Sequence, residues 1–77
     1  MRRIMSQPTT TLTFSRSAIA EFDILYYQTA TGKCYGQAFY DHMELHKITG
    51  PNKDWCDYLY NADTMLARKM VLSCATN

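Results

Sequence analysis

The sequence has little of what marks most classes of protein: it has no long hydrophobic run, no paired cysteines and no large excess of either charge. No apolar segment approaches the roughly 20 residues that a transmembrane helix needs. The opening residues, MRRIM, lack the apolar stretch of a secretory signal. The net charge of +1 does not mark the whole chain as a nucleic-acid binder. We therefore expect a cytoplasmic protein with no membrane partner.

Cysteine and glycine are also scarce, and their placement argues against several kinds of site. The three cysteines, Cys34, Cys56 and Cys74, are odd in number and irregularly spaced, whereas a small secreted scaffold has an even set. We expect reduced thiols, with Cys56 in the core. The three glycines form neither a GxGxxG pattern nor a Walker loop, so no phosphate-binding loop is predicted.

The composition that remains is enough for one small domain. Apolar residues make up 47% of the 77 residues and charged residues 19%, which is typical of a globular chain. A chain this short buries only about 60% of the surface that its unfolded form exposes, so its core is thin. We assign residues 1 to 8 to an amino-terminal arm and residues 9 to 77 to a single globular domain.

The first half of this domain favours β-structure. TTTLTF, residues 9 to 14, alternates apolar and polar positions, which predicts a short strand. Residues 22 to 31 are rich in Phe, Ile, Tyr and Thr, which suit a strand better than a helix. We therefore predict a hairpin in which FDILYYQ and KCYGQAF are joined by TATG, with Gly32 in the left-handed region.

A helix is the alternative for the same segment. Over residues 17 to 31, Ser17 would cap the helix and Gly32 would end it. Ile19, Phe22 and Tyr26 would then form one apolar stripe. In that case the fold would be an all-α three-helix bundle.

The second half is predicted to be helical. Residues 38 to 47 are rich in helix formers, and TGPN at residues 49 to 52 breaks the pattern. A long amphipathic helix then runs from about Asp54 to Leu72. Its apolar stripe consists of Trp55, Leu59, Ala62, Leu66 and Met70. The predicted fold is therefore α+β: a short antiparallel sheet, made of a strand and a hairpin, packed by this C-terminal helix.

The only two histidines lie in HMELH, which suggests a metal site. On a helix His42 and His46 would share one face, but Glu44 would point away from it, so the geometry excludes a zinc-protease motif. A structural zinc site would need Cys34 and Cys56 as further ligands, yet the chain lacks the close cysteine pairs of zinc fingers. We expect neither a cofactor nor a catalytic site.

Tyrosine is the one residue type in surplus, with six in the chain. A core this small cannot hide ten aromatic rings, and exposed tyrosines concentrate at protein interfaces. The predicted interface consists of Tyr26, Tyr27, Tyr35, Tyr40 and Tyr60. The predicted function is a small non-enzymatic interaction module, an adaptor or inhibitor of a larger macromolecular complex, of the kind that phages and mobile elements encode. A homodimer would bury the same side chains equally well.

The same aromatic rings permit a second function, the binding of single-stranded nucleic acid. Tyrosines stack on bases, and four cations would contact the backbone. The candidate cations are Arg2, Arg3, Arg16 and Lys33. Against this alternative, Asp23, Asp41 and Glu44 lie in the same region, so the sequence does not predict a basic groove.

Overall fold

The computed structural model describes residues 8–29 and 32–76. Most of these residues are helical. The chain order is β1 (Phe14–Ser15), α1 (Arg16–Thr29), α2 (Tyr35–His42), α3 (Lys53–Asn61), α4 (Thr64–Ser73) and β2 (Ala75–Thr76), with 3-10 turns at Leu45–Lys47 and Gly50–Asn52 between α2 and α3. The predicted α+β fold with an antiparallel sheet is wrong. The structure is closer to the all-α alternative, with four helices rather than three among the described residues.

Helix α1 replaces the first strand of the predicted hairpin, and most of the second strand, KCYGQAF, lies in α2. Helix α1 begins at Arg16, and Ser15, not Ser17, caps it, because the Ser15 hydroxyl accepts the Ala18 amide at 3.1 Å. Ile19 and Phe22 are buried on one face. Burying a large apolar side chain is worth about 1.5–3 kcal/mol, whereas helix propensities differ by only tenths of a kcal/mol per ordinary residue. The helical stripe therefore outweighs the local preference for strand.

Helix α2 lies at the centre of the fold and contacts α1, α3 and α4. It begins at Tyr35, three residues before the predicted start, and ends at His42 rather than at residue 47. Its approach to α3 is close because Gly36 has no side chain. A Cβ at this position would lie 2.2 Å from the Leu59 carbonyl oxygen.

The predicted C-terminal helix is divided into α3 and α4. Ala62 adopts an extended conformation at the end of α3, and Asp63 caps α4, with its side chain accepting the Leu66 amide at 2.8 Å. The buried stripe is nevertheless confirmed for Trp55, Leu59, Ala62 and Met70, while Leu66 is only partly buried. The break turns α4 so that it too packs against α2.

The β-structure is limited to a two-residue parallel pair. Phe14 pairs with Ala75 and Ser15 with Thr76, so β1 and β2 join the two ends of the described chain. Most of TTTLTF has no regular secondary structure, so the predicted strand is limited to its last residue, Phe14. Asn52 holds this segment, because its side-chain oxygen accepts from the Thr10 hydroxyl at 2.8 Å and from the Thr11 amide at 3.1 Å.

One core cluster joins all four helices. Its buried members are Ile19, Phe22, Tyr35, Phe39, Leu45, Trp55, Cys56, Leu59, Ala62, Ala67, Met70, Val71 and Cys74. Aromatic rings meet edge to face at its centre: the Phe22 ring is 5.2 Å from that of Tyr35 and 5.1 Å from that of Phe39. Cys56 is in the core, as predicted.

Candidate protein-binding surface

The largest set of exposed apolar side chains lies on α1 and α4. Ile24 and Tyr27, one helical turn apart on α1, are each 57% exposed. Met65 and Leu72, seven residues apart and therefore on one side of α4, are 72% and 53% exposed. Together with Arg68 these four residues are called the α1–α4 surface. Large apolar side chains exposed as a group mark interaction sites more often than single ones do.

Arg68 connects the two helices of this surface. It lies between Met65 and Leu72 on α4, and its guanidinium donates a hydrogen bond to the Tyr27 hydroxyl on α1. The guanidinium carbon is 5.8 Å from the ring centroid of Tyr27 and 5.7 Å from that of Tyr35, which is within cation–π range. The contact links α4 to α1 at the surface and places a charge between Met65 and Leu72 on α4.

Tyr35 supports the surface from below instead of forming part of it. It is 1% exposed, which differs from its predicted place at an interface. Its hydroxyl donates to the Asp23 carboxylate at 2.6 Å. Burial, and then the hydrogen bond to Asp23, raise the pKa of Tyr35 well above its ordinary value. The hydroxyl therefore stays protonated at neutral pH, and its ring offers a fixed base for Arg68.

The other predicted interface tyrosines do not form one surface. Tyr26 is half-buried, stacked on Phe22, and its hydroxyl donates to the Lys33 carbonyl at 2.9 Å. Because Tyr26 and Tyr27 are on a helix, they do not face opposite ways as strand residues would. Tyr40 and Tyr60 meet each other on α2 and α3, with ring centroids 4.9 Å apart. Of the predicted set, only Tyr27 belongs to the α1–α4 surface.

HMELH does not lie on one helix. His42 is the last residue of α2, Glu44 adopts a left-handed conformation with a φ of 56°, and His46 is in a 3-10 turn. The predicted common face of the two histidines is therefore wrong. Cys34 is exposed and Cys56 is buried. In residues 8–29 and 32–76, no three His, Cys, Asp or Glu side chains are grouped as a metal ion requires.

Of the residues proposed for nucleic-acid contacts, the structure describes Arg16, which begins α1, and Lys33, which follows its end. The Lys33 ammonium is paired with the Asp41 carboxylate at 2.7 Å, and Arg16 is exposed at the start of α1. Tyr35 is buried and has no free ring face to stack on a base. Arg2 and Arg3 lie outside the described residues, as does all of the predicted arm except Pro8.

Ile24, Met65, Arg68 and Leu72 are not among the residues predicted from the sequence. The spacing of the last three does indicate a shared face. They are three and four residues apart, which puts them on one side of a helix, away from the apolar stripe that begins at Trp55. Ile24 was hidden by the strand assignment. The sequence gives no sign that Arg68 on α4 contacts Tyr27 on α1, which the structure shows.

Comparison of the chain with protein-family models, with curated proteins and with solved structures finds no match. None of the helices in the described part of the chain has the length and hydropathy of a membrane span.

Proposed function

We propose that this chain is a non-enzymatic protein-interaction module that binds its partner, a component of a larger macromolecular complex, through the α1–α4 surface. The observation that carries the proposal is the exposure of Ile24 and Tyr27 on α1 and of Met65 and Leu72 on α4, two helices that the contact between Arg68 and Tyr27 joins. A chain with such a thin core loses apolar burial by leaving these side chains in water. A partner that covers these side chains restores the lost apolar burial.

The chemistry of the surface suits a binding hot spot. Tyr, Met and Arg are enriched in interface centres, and Tyr and Arg dominate the residues whose truncation costs most affinity. Arg68 is already oriented by Tyr27 and Tyr35, so little side-chain entropy is lost when a partner contacts it. The single charge at the centre favours a partner that presents a carboxylate within an apolar surface.

Charge introduced at the edge of the surface tests this proposal. In Met65→Asp and Leu72→Asp a carboxylate replaces an exposed apolar group, so the fold is retained while partner binding requires a charge to be buried. The matched control is Thr49→Asp, which adds the same charge at an exposed loop position remote in sequence from α1 and α4. We expect capture of the partner from a lysate of the source cells to fall at least about tenfold for the first two variants.

The control should capture as much partner as the wild type. Equal capture by all four proteins would refute the proposal. Native mass spectrometry of the purified chain distinguishes the homodimer: a wild-type dimer that Met65→Asp converts to a monomer identifies a second copy as the occupant of the surface.

A further inference from the structure

A second surface, formed by α2 and α3, combines tyrosine rings with carboxylates. It has two open depressions. The wider one, of about 760 Å³, is lined by residues that include Asp54, Asp57, Tyr58, Asp63 and Leu66.

The narrower depression, of about 510 Å³, lies at the Tyr40–Tyr60 pair, with Asp41 and Asp57 beside it. Asp57 and Asn61 line both depressions, and the two depressions together are called the Asp57 face.

The tyrosine pair gives the narrower depression the chemistry of a cation site. The Tyr40 and Tyr60 rings are 4.9 Å apart at an interplanar angle of 75°. Tyr60 is exposed and Tyr40 half-buried, so part of this pair is accessible from outside. Ring faces attract cations, and a neighbouring carboxylate adds a charged hydrogen-bond acceptor.

The Asp57 face already binds two ammonium groups of its own chain. Lys33 is 2.7 Å from Asp41, and Lys53 is 2.7 Å from Asp57. The hydrogen bond to its aspartate, followed by the charge attraction, raises the pKa of each lysine. Both pairs are about half exposed, and ion pairs of this kind contribute little to stability. A better cation can therefore replace the lysines at small cost.

Arginine is the side chain that fits best. Its planar guanidinium binds a carboxylate through two parallel hydrogen bonds and stacks on tyrosine, whereas an ammonium is a single strongly hydrated charge. Its aliphatic stem can lie on apolar side chains such as that of Leu66. With four aspartates and two lysines, the face has a formal charge of −2, which attracts further cations.

We propose that the Asp57 face binds an arginine-rich segment of a partner protein, with one guanidinium against Tyr40, Tyr60 and Asp57 and another in the wider depression. This binding goes beyond the proposed function, because it uses a different surface and a different chemistry. The two sites fail separately: Leu72→Asp, at the end of α4 remote from Asp63 and Leu66, removes partner binding at the α1–α4 surface and changes binding at the Asp57 face by less than about twofold.

An acetylated hexa-arginine peptide tests the site on the full chain. Calorimetry gives the affinity, and amide chemical shifts in an NMR titration locate the site. We expect shift changes concentrated at Asp41, Asp57, Tyr60 and Asn61, and an affinity higher than that for hexa-lysine. Asp57→Asn should weaken binding about tenfold, because this carboxylate serves both depressions. Tyr60→Ala should weaken it by about fivefold.

Glu21→Gln is the matched control, because it removes the same charge from an exposed position on α1. It should change the affinity by less than about twofold. Any of the following results overturns the proposal: no binding, shift changes spread evenly over the chain, equal losses for Asp57→Asn and Glu21→Gln, or equal affinity for hexa-lysine.

The chain's own arginines are the competing occupant of the Asp57 face. Pro8 lines the wider depression, and Arg2 and Arg3 are a few residues before it in the chain. If they fill the face, changing both to Gln raises the hexa-arginine affinity tenfold or more and overturns the proposal. An unchanged affinity in that variant supports an external partner.

Discussion

Replacing Gly36 by alanine tests the packing at the centre of the fold. A Cβ at this position would lie 2.2 Å from the backbone carbonyl oxygen of Leu59 on α3 and 3.2 Å from the Cβ of Ala67 on α4. Neither atom belongs to a flexible side chain. Because the oxygen cannot turn away without disturbing the end of α3, the substitution has to push α2 and α3 apart.

Two opposing terms set the size of the effect. In an exposed helix, Gly→Ala stabilises by about 1 kcal/mol. Overpacking a close contact costs about 1–3 kcal/mol, and a clash with backbone belongs at the upper end. We therefore expect a net loss of about 2 kcal/mol for Gly36→Ala, which corresponds to a fall in Tm of about 8–16 °C in a domain of this size.

Thermal unfolding followed by far-UV circular dichroism measures this loss. Gln37→Ala is the matched control, because it introduces alanine into the same helix at a neighbouring position that is only partly buried. Its Tm should change by no more than about 3 °C. If Gly36→Ala unfolds at the wild-type temperature or above, the close approach of α2 to α3 is refuted.

Three further predictions concern single side chains. Tyr35→Phe removes the hydrogen bond to Asp23 and should cost about 1.5 kcal/mol in urea unfolding. Because folding raises the pKa of Tyr35, its stabilising contribution is present below about pH 10 and is lost as the pH rises further, so the variant should lose less stability on alkaline titration. Asp63→Ala removes the N-cap of α4, whose carboxylate accepts the Leu66 amide, and should lower the free energy of unfolding by about 1 kcal/mol in the same urea assay. In the folded protein a disulfide reagent should titrate Cys34 alone, since the other two thiols are buried and burial raises their pKa.

Periodicity in the sequence predicted burial better than it predicted the length of a helix. Trp55, Leu59, Ala62 and Met70 are buried as their spacing required. The same spacing continues unbroken past Asp63, so it carries no sign that α3 and α4 are separate. Aspartate is a strong cap, but it is also tolerated within helices, and only packing against α2 decides between the two.

In the segment from Phe22 to Thr29, residue type and the spacing of apolar positions predict different structures. Its residue types favour a strand, and its spacing of apolar positions favours a helix. The helix forms because Phe22 packs against Tyr35 and Phe39, which belong to a different helix. Such a contact is invisible in a local window of sequence, so propensity alone gave the wrong answer.

Tyrosine composition predicted that exposed rings exist, but not which ones. Tyr35 and Tyr27 both lie beside Arg68, yet one is buried and the other is 57% exposed. The difference is the Asp23 carboxylate, which satisfies the Tyr35 hydroxyl inside the fold and so removes the penalty for burying it. The Tyr27 hydroxyl is instead hydrogen-bonded to Arg68 at the surface, and the Tyr27 ring stays exposed to water. A partner that covers this ring therefore gains apolar burial without breaking a hydrogen bond of the core.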